Sequence, residues 1–175
     1  MFTLVIGGAA SGKSEYAENL ILRAGPLPRA YIATMEPFDD ECRARIAQHR
    51  ALRAQKDFET VECYTGLEHL RLPGGGAVLL ECISNLAANE LYSPRGAGKD
   101  AGAAILRGID ALLSQCRELV VVTGEVFSGG RNYEGDTLHY LRVLAGINRA
   151  LAARADRVAE IVCGQAVYYK GKGPE

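Results

Sequence analysis

At 175 residues, 48% hydrophobic and 23% charged, the chain has the size and balance of one globular domain that buries its core without disulfide help. A formal charge of -1 supplies no electrostatic reason to expect nucleic acid or an anionic membrane as partner. Five scattered cysteines (Cys42, Cys63, Cys82, Cys116, Cys163), with no C-x-x-C pair, argue for free thiols in a reducing cytoplasm, each a small buried hydrophobe.

Residues 2–6 (FTLVI) read as a buried strand. The run is too short for a secretory leader, has no basic segment before it, and no later apolar stretch is long enough to span a bilayer. It leads into Gly7-Gly8-Ala9-Ala10-Ser11-Gly12-Lys13-Ser14, with a helical stretch over 14–23 behind it. That G-x-x-x-x-G-K-S pattern at a strand-to-helix junction is a phosphate-binding loop. Its glycines let the backbone curl so that successive N–H groups converge on one anion, and the helix adds its positive end. Lys13 is expected on the β- and γ-phosphates of a nucleoside triphosphate, and the Ser14 hydroxyl on Mg²⁺.

A second strand is expected over 30–33, then a helix over 40–54 in DDECRARIAQHRALRA, with Asp39 or Asp40 as its cap. Glu41, Arg45, His49 and Arg53 recur there every four residues and line one flank. Two readings of the stripe stay open. It is either a salt-bridged solvent face, or a set of cations and an imidazole that can hold a triphosphate and attack it.

A short strand at 60–63 precedes a buried one at 77–81 (AVLLE). Glu81 closes that strand, where phosphoryl transfer needs a carboxylate for Mg²⁺; Glu125, just past a strand over 119–123 (LVVVT), holds a similar place. Helices are expected over 84–91, 98–116 and 137–153, and a hairpin-like strand pair over 157–162 and 166–170. Segments 72–76, 93–98 and 124–135 read as loops; the last has four glycines and lies where an active-site flap would sit. His69 and His139 have no companions and read as surface or packing residues, and 171–175 as a frayed tail. Continuous apolar strands alternating with helices imply α/β architecture: a P-loop NTPase-like three-layer sandwich, its sheet mostly parallel, with the hairpin-like pair at the end. No repeat or composition break divides 1–175 into more than one domain.

In this order the motifs resemble the bifunctional adenosylcobinamide kinase / adenosylcobinamide-phosphate guanylyltransferase family of cobalamin biosynthesis. The resemblance is carried by LVIGGAASGKSEYAE, YIAT, DDECRARIAQHRALR, TVE, VLLECISNLAANEL, the strand ending in Gly124-Glu125-Val126, and LRVLAGINRALAARADRV. It implies two reactions on one scaffold, with GTP and ATP as co-substrates, adenosylcobinamide as acceptor, and a homotrimer as the assembly. It places the guanylylated histidine on His49 and the nucleotide phosphates on Gly7, Gly8, Ala9, Ala10, Ser11, Gly12, Lys13 and Ser14. Further nucleotide contacts fall on Thr34, Arg50, Arg53, Glu62 and Glu81, and Mg²⁺ falls on Ser14 and Glu81. The chain departs from the family pattern at Gly124 (usually Asn), Ala54 (often Pro), Phe58 (usually Trp), Arg149 (usually Gln) and in the segment after Glu125. The residue types alone also suit a single-activity P-loop kinase of a small metabolite, or a nucleotide-sensing module.

Overall fold

The computed structural model describes residues 1–53, 55–129 and 132–173, apart from the side chains at positions 41, 45, 48, 49, 52 and 53. The apolar runs become strands β1 (Phe2–Gly7), β2 (Arg29–Ala33), β3 (Glu59–Glu62), β4 (Gly76–Glu81), β5 (Cys116–Gly124), β6 (Arg157–Val162) and β7 (Gln165–Lys170). The helices are α1 (Lys13–Arg23), α2 (Asp40–Arg53), α3 (Ile83–Tyr92), α4 (Ala101–Leu113) and α5 (Gly135–Arg154). All the strands join one sheet in the order β3-β2-β4-β5-β1-β6-β7. Its pairings are parallel except for β6 with β7, the hairpin expected at the end.

Helices cover both faces of the sheet. Side chains alternate along each strand, so Leu4, Leu80 and Val121 pack with Ile105, Ile109, Leu144 and Leu151 on one face. Val5, Leu79 and Val122 pack with Ala17 and Ile21 on the other. Because neither face is wet, the strands read as unbroken apolar runs rather than alternating ones. Each such Leu or Ile removed from water contributes roughly 1.5–3 kcal/mol. The three-layer α/β reading therefore holds. Among the described residues no helix is long and apolar enough to cross a membrane.

The structure corrects the sequence reading at three places. The helix expected over 98–116 is a 3-10 turn at Gly98–Asp100 followed by α4, and Cys116 already belongs to β5. Gln115 stops the helix: its Nε2 donates to the carbonyls of Leu70 (3.2 Å) and Ala111 (3.0 Å), and its Oε1 accepts from Leu72 N (2.9 Å). Cys116 then pairs with Gly76, which opens β4 instead of ending a loop. A second 3-10 turn, Leu67–His69, has no periodic signal; buried Leu67 packs on Gly108 of α4, where a Cβ would stand 2.6 Å from that of Leu67. The cysteines form no disulfides, as expected, yet only Cys63 is buried; Cys42, Cys82 and Cys116 are half-buried and Cys163 is exposed. Cys163 (φ 50) and Gly164 (φ 78) form the left-handed β6–β7 turn, which projects the thiol away from any core. His69 and His139 are exposed. Ala54, residues 130 and 131 of the expected flap, and residues 174–175 of the tail lie outside the described residues.

Candidate active site

The phosphate loop leaves the carboxyl end of β1 between the ends of β5 and β6. Gly7 O accepts from Glu125 N at 2.9 Å, and Ser11 O accepts from Gly164 N at 2.9 Å, so both neighbouring strands brace it. Gly12 (φ 89) makes the turn into α1, and a Cβ there would approach Gly164 Cα to 3.3 Å. Only glycine satisfies both demands. No side chain caps α1, so its first amides remain for an anion. Lys13 Nζ donates to Gly8 O at 3.0 Å, and Ser11 Oγ is buried without a partner among the described residues.

Three elements converge on Glu81, the last residue of β4. Ser14 of α1 donates its hydroxyl to Oε1, and the Tyr31 hydroxyl of β2 donates to Oε2 at 3.0 Å. A hydroxyl and a carboxylate brought together beside a phosphate loop are hard oxygen donors, the set Mg²⁺ takes along with substrate phosphates and water. These residues fit that ion.

Thr34, just past β2, is fully buried. Its Oγ1 donates to Cys82 O at 2.9 Å and accepts from Cys82 N at 2.7 Å. Thr34 N donates to Glu81 O at 3.1 Å, and its carbonyl accepts from Asn89 Nδ2 at 2.8 Å. The hydroxyl expected at the nucleotide thus fastens the end of β2 to the residue after Glu81. Burial pushes the Cys82 thiol up against the opposing amides of Asn85 and Ser84, which keeps it neutral.

Helix α2 forms the facing wall. Arg50 pairs with Glu62 Oε1, and Glu62 Oε2 accepts from Tyr64 Oη at 2.7 Å. Burial, then the Glu62 hydrogen bond and charge, push the Tyr64 hydroxyl up to about 12, so it stays a donor at neutral pH. Lys56, just beyond α2, pairs with Glu18 of α1, whose side chain is only 5% exposed. Of the described α2 side chains, Cys42 and Ile46 are half-buried and the others exposed, and the Arg50–Glu62 pair ties the helix to the end of β3. Positions 49 and 53 lie on α2, but the side chains of His49 and Arg53, like those of Glu41 and Arg45, are outside the described residues.

These elements enclose a cleft of about 770 Å³, a small-molecule size. Gly7, Ala9, Ala10, Ser11, Gly12, Lys13, Ser14, Thr34, Arg50, Glu62 and Glu81 all line it; Gly8 does not. Tyr31, Glu18, Lys56 and Tyr64 line it too, and sequence reasoning missed them. Tyr31 sits inside an apolar strand with nothing to mark it. Glu18 and Lys56 are far apart in the chain and carry no shared motif. Glu125, visible in sequence as a strand-end carboxylate, is also on the wall.

A family model described as cobinamide kinase / cobinamide phosphate guanyltransferase matches residues 3–168. The bifunctional adenosylcobalamin biosynthesis protein CobU of Salmonella typhimurium is 37% identical over 185 residues, covering 97% of this chain and 100% of its own. Its Escherichia coli counterpart is 35% identical with the same coverage. Among solved structures, the flagellar accessory protein FlaH of Methanocaldococcus jannaschii superposes with a TM-score of 0.51 at 12% identity, over 98% of this chain and 78% of its own. The RadB recombinase does so with the same TM-score, 0.51, at 18% identity, over 99% and 83%. At such identities these two likenesses speak for the P-loop fold alone.

Proposed function

The chain belongs to the cobinamide kinase / cobinamide phosphate guanyltransferase family, and from this premise we propose that it carries out both reactions through one nucleotide cleft. In the first, a nucleoside triphosphate phosphorylates the aminopropanol hydroxyl of adenosylcobinamide. In the second, His49 attacks the α-phosphorus of GTP, pyrophosphate leaves, and the guanylyl group passes from the imidazole to the new phosphate, giving adenosylcobinamide-GDP. The supporting observation is that Ile46 and Arg50 of α2 line the same cleft as Lys13, Ser14 and Glu81. Position 49 follows 46 by three residues and so shares that helix face.

Each described group then has a task. The loop amides and the start of α1 receive the phosphates, and Lys13 exchanges the Gly8 carbonyl for a charged phosphate oxygen, a stronger partner. Arg50 stabilises charge that builds on the α-phosphate and on pyrophosphate. Ser14 and Glu81 would hold Mg²⁺, which neutralises phosphate oxygens. A phosphorus–nitrogen bond to imidazole is high in energy, so splitting the transfer lets each displacement run in line with its own leaving group. The same reading makes the protein a cytoplasmic homotrimer with sites at subunit boundaries, which light scattering tests.

Incubating the protein with α-labelled GTP and Mg²⁺ and then denaturing it tests the chemistry. Acid-labile, alkali-stable label is expected on the protein and absent from His49→Ala. No label from α-GTP, with γ-label still passing from ATP to a small molecule, would reduce the protein to a single kinase. Binding without turnover would leave a nucleotide sensor.

A further inference from the structure

Five carboxylates among the described residues line the cleft, and their partners sort them. Glu18 is paired with Lys56, Glu62 with Arg50 and Tyr64, and Glu81 with Ser14 and Tyr31. Glu15 is exposed on the first turn of α1. Glu125 differs from all four. It is half-buried, its backbone N–H is fixed to Gly7 O at 2.9 Å, and Gly124 N is fixed to Ser84 Oγ at 3.0 Å. Its Oε1 accepts from Phe127 N at 2.9 Å, and its Oε2 has no partner among the described residues. Glu125, its backbone tied to the first residue of the phosphate loop, therefore keeps one carboxylate oxygen that no described residue engages. An apolar side chain stands next to it: Val126 lines the cleft alongside Ser84 and Asn85, and Val126 and the following Phe127 are 38% and 42% exposed. Exposed apolar side chains beside it suit the body of an acceptor rather than a triphosphate.

The geometry points to Glu125 as the general base of the alcohol-phosphorylating step. This inference rests on the two-reaction reading above. Glu125 Oε2 takes the proton of the acceptor hydroxyl as that oxygen bonds to the γ-phosphorus. The bond from the γ-phosphorus to the bridging oxygen breaks, its electron pair leaves with the nucleoside diphosphate, and Glu125 returns the proton to water. The two reactions differ here in a useful way. An alcohol must lose a proton to attack, whereas a phosphate monoester, with a second pKa near ~6, is already ionised at neutral pH. Glu125 is thus required for phosphorylation and dispensable for guanylyl transfer.

The test compares Glu125→Gln and Glu125→Asp with the native enzyme in separate assays of the two steps. Gln retains an oxygen for Phe127 N, so the local turn survives. The expected result is a fall in phosphorylation kcat of about a hundredfold or more in Glu125→Gln, an unchanged KM for nucleotide, and unchanged guanylyl transfer to a pre-phosphorylated acceptor. Glu125→Asp retains a base and falls between. Phosphorylation at native rate in Glu125→Gln overturns the assignment, and so does a deficit that extra Mg²⁺ repairs, since that marks a metal ligand. Should Glu125→Gln not fold, Glu125→Asp decides: equal loss of both steps overturns the proposal, selective loss of phosphorylation upholds it. Absence of protein-bound guanylyl label in the native enzyme would remove the His49 reading and leave the phosphorylation assay of Glu125 intact.

Discussion

Replacing Thr34 with valine separates a nucleotide contact from a structural clasp. Valine retains the volume of the side chain at a site with 0% exposure, so no cavity is opened. What disappears is the hydroxyl that accepts from Cys82 N at 2.7 Å and donates to Cys82 O at 2.9 Å. Leaving a buried amide unsatisfied costs about 1–3 kcal/mol, and the lost bond to the carbonyl adds about 1 kcal/mol, for a total of roughly 2–4 kcal/mol. For a chain of this length each kcal/mol moves Tm by about 2–4 °C, so a drop of roughly 5–15 °C is expected by calorimetry. Cys82 follows Glu81, so the loosened strand end also lowers catalytic activity in the cleft. A Thr34→Val protein that melts within about 2 °C of the native one, yet binds nucleotide about tenfold more weakly (about 1.4 kcal/mol), would refute this reasoning and restore Thr34 as a ligand contact.

Three further outcomes are expected. Glu90 is 2% exposed, and its carboxylate accepts from Gly66 N at 2.7 Å and Ala97 N at 2.8 Å, joining two loops to α3. Glu90→Gln turns one acceptor into a donor facing an N–H, and should cost roughly 2–3 kcal/mol in urea unfolding; native stability would show that the loops hold without it. Burial, then the charge of Glu90, push the Cys63 thiol up to about 11. A raised pKa in the folded state stabilises below the unfolded value near 9 and is lost as pH rises towards 11, so Cys63→Ala should flatten the fall in stability across that window. In the native protein a thiol reagent at neutral pH should modify exposed Cys163 before Cys63, and the reverse order would contradict the packing.

Much of the fold is legible in the chain because its strands are dry on both faces and its phosphate loop has an obligatory local shape. Residues 2–6, 77–81 and 119–123 announce themselves as apolar runs, and all three are in the sheet. The helix expected to run to Cys116 stops early because a pairing partner, Gly76, lies forty residues upstream and no local pattern records it. The exposure of Cys163 has the same kind of cause, since a tight left-handed turn and not the identity of the residue decides which way it faces.

The candidate site divides along the same line. Lys13, Ser14 and Glu81 could be picked out from spacing, because phosphate binding by a backbone loop and a strand-end acid obeys local rules. That Ser14 meets Glu81, that Tyr31 holds the other oxygen, and that Thr34 is spent on Cys82 required the strands to be laid side by side. So did the sorting of the five cleft carboxylates among the described residues by partner and exposure, which leaves Glu125 half-buried with one oxygen that no described residue engages. Local chemistry is written in consecutive residues. Which polar atoms remain available for a ligand is a property of the packed chain, because each hydrogen bond formed across the sheet removes one from the list.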